Sequence, residues 1–448
     1  MHFFLRWPSL IAKIPTNLLA LLQRIKDQGY QCFLVGGSSR NILLDQEVAD
    51  WDIATDALPQ TIEKIFPNNI PLGKKFGTIL VKEEDLVLEI TTFRQEGSYS
   101  DQRHPDEVVF LNNIEGDLAR RDFTINGIAL DPLAKKIIDP YGGRRDLKKK
   151  LIRAIGKPTI RFREDPLRIL RYFRFQASLG FRGDKKTALA MEHSLLDSLS
   201  RERIAKEMNL LLMGPFPGKG LKGLFENGIM TRLFPELLPL INEKEILTHT
   251  IKTVEAIRPQ IYLRWAAFLH DIGKPLTRTY LDGRLHFPNH EKVGLELAES
   301  IMRSLRLPNS LQNKVGQLIL WHMFPCDPAF SDTALRRLIN RVGKDHIKDL
   351  IELRRADIIA STPRFDLAWP SFSLFVENID RLLKEETVFT TKDLALDGHD
   401  IIMILKIKEG PLIGKILEIC LAWVLEDPRR NTKETLEAFL KESSFASN

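Results

Sequence analysis

Apolar and polar positions follow two different rhythms along the chain. Between about residue 29 and residue 140, short apolar runs at 31–35, 78–81, 86–93, 108–111 and 137–138 are separated by turn residues, which predicts strands with short helices between them. The segment 82–85 joins two of these runs as a hairpin loop. After Tyr141-Gly142-Gly143 the spacing changes, and from Asp146 onward apolar residues recur at helical intervals. Pro and Gly break that pattern at Gly214-Pro215-Phe216-Pro217-Gly218 and at Ser361-Thr362-Pro363, and residues 442–448 are expected to fray. The reading is an α+β chain: a first third built on a sheet, then helices alone. No internal repeat or low-complexity tract is present.

At 448 residues the chain exceeds the size at which one hydrophobic core keeps growing, so two or more domains are expected. No run of about 18 uncharged apolar residues occurs, and the apolar start (residues 1–10) is interrupted by Arg6 and Pro8. That predicts a soluble, unexported protein with no membrane span. Cys32, Cys326 and Cys420 lie far apart without metal-ligand spacing, which fits core positions in a reducing cytoplasm. A net charge of +6 and a pI near 9.0 favour an acidic partner such as RNA without requiring one.

Chemistry enters at Phe33-Leu34-Val35-Gly36-Gly37-Ser38-Ser39-Arg40-Asn41, followed by Ala49-Asp50-Trp51-Asp52. An apolar strand that runs through two glycines into a helix presents backbone N–H groups suited to phosphate, and Arg40 can add charge-assisted bonds to the same anion. On a strand, Asp50 and Asp52 project to one side while Trp51 packs on the other. An isolated Asp-x-Asp is most often a turn or a solvated edge. After a Gly-Gly helix entry, two adjacent carboxylates instead suit Mg²⁺ and two-metal, in-line phosphoryl transfer, with Glu89 as a candidate third ligand.

Two further segments carry candidate chemistry. In Arg161-Phe162-Arg163-Glu164-Asp165-Pro166-Leu167-Arg168, Asp165 is read as a helix N-cap with Pro166 at the first helical position. Arg168, Arg171 and Arg174 then recur every three residues along one side of that helix, alternatively a basic solvent face. A carboxylate accepts from an exocyclic amino group and a guanidinium donates to a ring or carbonyl acceptor, so one Asp/Arg pair can select both cytosine and adenine. Further on, His249 precedes Phe268-Leu269-His270-Asp271-Ile272-Gly273-Lys274, with Asp357 in a later helix. Imidazole and carboxylate together suit a divalent ion that activates water; His290 and His322 are candidate extra ligands, or satisfied core histidines.

Taken together, these residues resemble the class II tRNA nucleotidyltransferase and bacterial poly(A) polymerase family, within the polymerase-β-like nucleotidyltransferases. Leu72-Gly73-Lys74-Lys75-Phe76-Gly77-Thr78, Glu89-Ile90-Thr91-Thr92-Phe93-Arg94 and Asp117-Leu118-Ala119-Arg120-Arg121-Asp122-Phe123-Thr124-Ile125-Asn126 look like the family's later motifs, as do Glu202-Arg203-Ile204-Ala205-Lys206-Glu207 and Leu233-Phe234-Pro235-Glu236-Leu237. The likeness covers roughly residues 29–240. Asn41 stands where the family usually has aspartate, and Ser38-Ser39 replaces a more apolar pair. The resemblance implies that Asp50, Asp52 and Glu89 are catalytic, and that Gly36, Gly37, Arg40, Arg121, Asp122, Glu164, Asp165, Arg168, Arg171 and Arg174 bind nucleotide. Asp165 and Arg168 would act as the base template, Glu164 would position the arginine, and Arg120 would lie close by.

The later histidines resemble the His-Asp (HD) phosphohydrolase domain, implying a divalent metal of unstated identity on His249, His270, Asp271 and Asp357. In the family such a domain has been linked to removing phosphate or 2′,3′-cyclic phosphate from RNA ends. The implied architecture is a nucleotidyltransferase head with a mixed sheet (1–145), a helical neck and body (146–240), an HD domain (241–362) and a helical tail (363–448). The implied activity is addition of CMP and AMP, as CCA, to the 3′ end of tRNA from CTP and ATP with Mg²⁺. Enzymes that add only C or only A, a poly(A) polymerase, and an RNA-end phosphohydrolase are the alternatives.

Overall fold

A computed structural model describes residues 7–73, 77–97, 108–324, 326, 329–361, 365–385 and 388–443. The chain divides into two compact units, Met1–Pro235 and Glu236–Asn448.

The first unit is organised by a seven-stranded mixed sheet. Its strands are β1 (Cys32–Leu34), β2 (Trp51–Thr55), β3 (Asn69–Gly73), β4 (Thr78–Glu83), β5 (Leu86–Thr92), β8 (Ala129–Asp131) and β9 (Lys136–Ile138), with β6 (Arg94–Glu96) and β7 (Val108–Phe110) paired separately between them. The sheet order is β3-β4-β5-β2-β1-β8-β9. β4 and β5 form a tight antiparallel hairpin, and Glu84 between them takes the left-handed conformation, φ 52°. β2 runs antiparallel to β1 but parallel to β5, a pairing that sets Asp52 directly beside Glu89. Trp51, Ile53, Leu88 and Ile90 turn into the core, so Asp52 and Glu89 share the opposite face of the sheet.

Helices follow, as the spacing predicts. Leu167–Leu179, Arg201–Leu212 and Pro217–Glu226 build a second core, joined to the sheet domain through Phe123, whose ring meets Tyr172 at 6.0 Å and Phe175 at 5.6 Å. The break read at residues 214–218 falls between the last two of these helices. Helix spacing is not all that follows Asp146, however. Leu151–Ile152 pairs in parallel with Arg182–Gly183 (β10, β11), and Thr279–Leu281 pairs with Arg284–His286 in a hairpin (β12, β13).

Among the described residues, the second unit is helical apart from that hairpin. Helices Lys244–Ala256, Ile261–Leu269, His290–Ser304, Asn309–Trp321 and Ile347–Ser361 surround a cluster of histidine and aspartate. Nearer the C-terminus, Ile401, Ile416, Val424, Leu436 and Leu440 form a separate core closed by the stacked rings of Trp423 and Phe439, 4.2 Å apart. The helix before the predicted break at residue 361 ends there, and residues 362–364 and 444–448 lie outside the described residues, as do 1–6 and the Lys74-Lys75-Phe76 part of the motif at 72–78. Among the described residues no helix is long and apolar enough to cross a membrane.

Candidate active site and metal cluster

The sequence Val35-Gly36-Gly37 produces the first site by removing side chains. Gly36 opens the helix Gly36–Leu44 in the left-handed conformation, φ 61°, and a Cβ there would lie 2.8 Å from Asp52 Oδ2 and 3.1 Å from Arg121 Nη1. The Gly37 N–H, read as facing a phosphate, is donated to Asp52 Oδ2 at 3.2 Å. Ser38 ties the helix to the strand: its hydroxyl accepts from the Asp52 N–H (2.8 Å) and donates to the Asp50 carbonyl (3.0 Å). Asp50 lies exposed one residue before β2, whereas Asp52 is half-buried.

Asp50, Asp52 and Glu89 line one cavity of about 290 Å³, together with Gly37, Arg40 and Asn41. Burial pushes the Asp52 carboxyl above its ordinary range, with Asp50 adding repulsion against the pull of Arg121. Withdrawal from water and then the charge of Asp52 do the same to Glu89. Clustered carboxylates that raise one another's pKa favour a proton or a cation between them. An all-oxygen donor set suits a hard ion such as Mg²⁺.

Beside this cavity runs a network of arginines held by buried acids. Asp117, fully buried, accepts forked bonds from Arg120 at Oδ1 and from Arg121 at Oδ2, 2.8 and 2.9 Å at the terminal nitrogens. Asp122 accepts from the Asn126 amide (2.9 Å) and from Arg171 (2.8 Å), and Asn126 accepts from Arg40 (2.7 Å). Burial works against the charge on Asp122, yet Arg171 and Asn126 hold its carboxyl well below the usual range. Arg40 is pushed down to about 10 by burial, with Arg174 contributing. Glu207, buried in the helix Arg201–Leu212, pairs with Arg174 at 2.7 Å. The guanidinium groups of Arg40, Arg171 and Arg174 surround the ring of Phe175, between 4.1 and 5.4 Å from its centroid.

The structure alters two details of the base-reading segment. The helix starts at Leu167, with Pro166 at the cap position and Asp165 one residue outside, accepting the Leu167 N–H at 3.1 Å. The one-residue shift follows from the end of the preceding helix, Pro158–Glu164, on which Asp165 is already the C-cap. The three arginines form no solvent face either. Arg168 is only 7% exposed and donates to Glu164 (2.8 Å) and to the Arg120 carbonyl (2.9 Å). Arg203 donates to Asp165 Oδ1 at 2.9 Å. Asp117, Asn126, Arg203 and Glu207 stand within the family-like motifs of the sequence, but no individual role attached to them there. Only Asp117 carried a local signal, its helical spacing of three and four from Arg120 and Arg121.

In the second unit the structure brings His249, His270, Asp271 and Asp357 together and adds His290 and His322. His249 Nε2 lies 3.3 Å from His270 Nε2, 3.4 Å from Asp271 Oδ2 and 3.0 Å from Asp357 Oδ1. His290 Nε2 and His322 Nε2 lie 3.5 and 3.6 Å from Asp271 Oδ1. These side chains come from helix ends: His270 caps Ile261–Leu269, His290 opens His290–Ser304, and His322 caps Asn309–Trp321. Burial opposes charge on Asp271, yet the surrounding imidazoles, His270 foremost, hold its carboxyl well below the usual range. Lys274 donates to Asp271 Oδ2 and Arg354 to Asp357 Oδ2, both at 2.6 Å.

A mixed sheet that sets an aspartate beside a glutamate, with a glycine helix entry closing over them, is the head of a nucleotidyltransferase. Family models agree: a poly A polymerase head domain matches residues 32–153, a probable RNA and SrmB-binding site of polymerase A matches 180–241, and an HD domain matches 246–362. The CCA-adding enzymes of Geobacillus thermodenitrificans and Geobacillus stearothermophilus are each 32% identical over 95% of this chain and 96% of their own. The crystal structure of the Bacillus stearothermophilus CCA-adding enzyme in complex with CTP is 30% identical over 95% of this chain and 96% of its own, with a TM-score of 0.74. The Thermotoga maritima enzyme complexed with tRNA shares the fold, at a TM-score of 0.59 and 22% identity over 97% of both chains. The chain belongs to the CCA-adding enzyme family.

Proposed function

We propose that this protein adds CMP, CMP and AMP in turn to the 3′ end of tRNA, using CTP and ATP and releasing pyrophosphate. The observation that carries the reading is the pairing of Asp52 with Glu89 across parallel strands, with Asp50 and Gly37 of the helix entry on the same cavity. Relatives named as CCA-adding enzymes along almost their whole length, one crystallised with CTP, support it.

Asp50, Asp52 and Glu89 would hold Mg²⁺, which when bound lowers the pKa of the primer hydroxyl and neutralises the triphosphate. The remaining work falls to the protein. The primer 3′ oxygen attacks the α-phosphorus, the bond to the bridging oxygen breaks, and pyrophosphate departs. Arg121 and Arg40, both held by buried acceptors, present positive charge to the phosphates. Asp165 accepts a hydrogen bond from the exocyclic amino group of cytosine or adenine while Arg168 donates to the neighbouring ring acceptor. For this Arg168 gives up the Arg120 carbonyl, with Glu164 keeping its other end in place.

The test uses tRNA transcripts ending at the discriminator base, at C and at CC, with each NTP singly and in combination. Stepwise addition of C, C and then A is expected. Long tails of A, or no incorporation of CMP, contradict the reading.

The cluster in the second unit favours a second activity. Four histidines and two aspartates around one buried point, flanked by Lys274 and Arg354, suit a divalent ion and a phosphate ester, and we propose hydrolysis of phosphate or 2′,3′-cyclic phosphate at RNA ends. RNA carrying a 2′,3′-cyclic phosphate should be opened by the protein and left intact by the His270→Ala, Asp271→Ala variant; equal turnover by both removes this role. The four-part division into head, neck and body, HD domain and tail is retained as part of the same proposal.

A further inference from the structure

The polar pair Ser38-Ser39 stands where the glycine entry disturbs the sheet beside it. β1 and β2 run antiparallel with Leu34 opposite Ile53, and the ladder continues one step further, the Val35 N–H donating to the Asp52 carbonyl at 3.0 Å. An antiparallel pair that exchanges bonds would return the Asp52 N–H to the Val35 carbonyl. That return is not made, because the Val35 carbonyl caps the helix Gly36–Leu44 and accepts from the Ser39 N–H at 3.4 Å. The turn that opens the cavity thus takes away the ladder partner of a cavity aspartate's own N–H, a group that cannot be left unpaired at low cost. Asp50, one residue before β2, lies outside the ladder altogether.

Ser38 repairs both positions. Its side chain is fully buried, and its hydroxyl accepts from the Asp52 N–H at 2.8 Å while donating to the Asp50 carbonyl at 3.0 Å. Serine in the first turn of a helix ordinarily bonds the backbone of that helix. Ser39 follows the habit in part, sharing its hydrogen between the Gly36 carbonyl (3.3 Å) and the Ile128 carbonyl (2.8 Å). Ser38 instead spends its one hydrogen and a lone pair on the neighbouring strand. A single oxygen atom therefore fixes the backbone on both sides of Trp51, whose ring is buried.

We infer that Ser38 is the positioning residue of the carboxylate pair: its hydroxyl sets where Asp50 stands relative to Asp52, and with that the affinity of the head for a divalent ion. This deepens the metal reading of Asp50, Asp52 and Glu89 proposed above and rests on it. Asp52 has other restraints, the Gly37 N–H on Oδ2 at 3.2 Å and its place opposite Glu89 in the parallel pair. Asp50 is exposed and its carbonyl is held by Ser38. Without the hydroxyl, the Asp52 N–H is left buried with no acceptor and Asp50 is free to move. The ion would then have to order its own ligands, at a cost in affinity.

Metal binding tests this directly. The full chain, its Asp52→Asn variant and its Ser38→Ala variant are titrated with Mn²⁺, and the free ion is read by electron paramagnetic resonance. Binding that Asp52→Asn removes belongs to the head. Ser38→Ala should weaken that binding about 10–100-fold, the usual effect of losing a group that orients metal ligands. The Mg²⁺ concentration for half-maximal CMP incorporation should rise with it, and incorporation should recover at saturating Mg²⁺. A lower melting temperature with unchanged Mn²⁺ affinity would show a merely structural hydroxyl and overturns the inference. If Asp52→Asn removes no binding, the metal reading itself falls, and the role of Ser38 with it. Should Ser38→Ala not fold, Ser38→Cys decides: its thiol fills similar space but bonds weakly both as donor and as acceptor, so a smaller loss of affinity is expected and none overturns the inference.

Discussion

At the scale of single residues, the first site depends on Gly36 having no side chain. Its left-handed φ and the 2.8 Å approach to Asp52 mean that Gly36→Ala must either strain the backbone or push the Asp52 carboxylate aside. We expect a fall in kcat with a melting temperature lowered by only a few degrees, read by nucleotide incorporation beside a thermal melt. Unchanged kcat would show that Asp52 does not depend on this close approach. If Asp52 holds Mg²⁺ as proposed, Asp52→Asn should cost several kcal/mol of transition-state stabilisation, a fall in kcat on the order of 10³-fold, with the fold intact by circular dichroism. Asp122 makes a prediction about stability. Its depressed pKa contributes stability that is present above the ordinary aspartate range, near pH 3.9, and is lost as pH falls toward the lower folded value. Asp122→Ala, which leaves Arg171 buried without its partner, should cost about 3–5 kcal/mol in a urea titration at neutral pH. The variant should also lose less stability than the parent on acidification below about pH 4. Equal slopes would mean that another group carries the acid sensitivity.

At the scale of elements, what the sequence made legible follows from what each strand buries. The run at residues 86–93 showed itself because Leu88, Ile90 and Thr92 turn inward together. Thr279–Leu281 and Arg284–His286 are exposed along their whole length, so no apolar alternation marks them. Their turn did leave a mark: Asp282-Gly283, at φ 51° and 74°, is a strong hairpin dipeptide between two short strands. The pairs Leu151–Ile152 and Arg182–Gly183 are too short for any periodicity. Helical spacing found the side of Leu167–Leu179 that carries Arg168, Arg171 and Arg174, but not which way that side faces. The answer lies in Glu207, Asp122 and Glu164, and the first two are distant in sequence. Coupling between the helices is therefore measurable. A double-mutant cycle on Arg174 and Glu207 should give an interaction energy of about 0.5–3 kcal/mol, and a value near zero would mean that the ion pair does not join the two helices.

At the scale of the whole molecule, the chain carries two compact units, each with its own core and its own acidic cluster. A fragment of residues 236–448 is expected to fold alone, because its buried residues pack among themselves. Mn²⁺ at 100 times its dissociation constant should then stabilise the fragment by about 2.7 kcal/mol per ion, seen as a rise in melting temperature that a chelator reverses. A melt indifferent to the ion would remove the metal from the second unit's account. Of the candidate residues, the acids and histidines that meet at each site could be named from motifs. The partners that fix them, Asn126, Arg203 and Glu207, lay within motifs too, but their roles were not legible, because their contacts arise only when separate elements pack.

The central claim is that Asp50, Asp52 and Glu89 drive addition of CCA to tRNA. Its most direct test is to sequence the 3′ ends of a tRNA lacking its terminus after incubation with all four nucleoside triphosphates, using the protein and its Asp52→Asn variant. The protein should yield ends at C, CC and CCA with nothing beyond, and the variant should leave the tRNA unextended. Runs of A, incorporation of U or G at levels near those of C, or equal extension by the variant would contradict it.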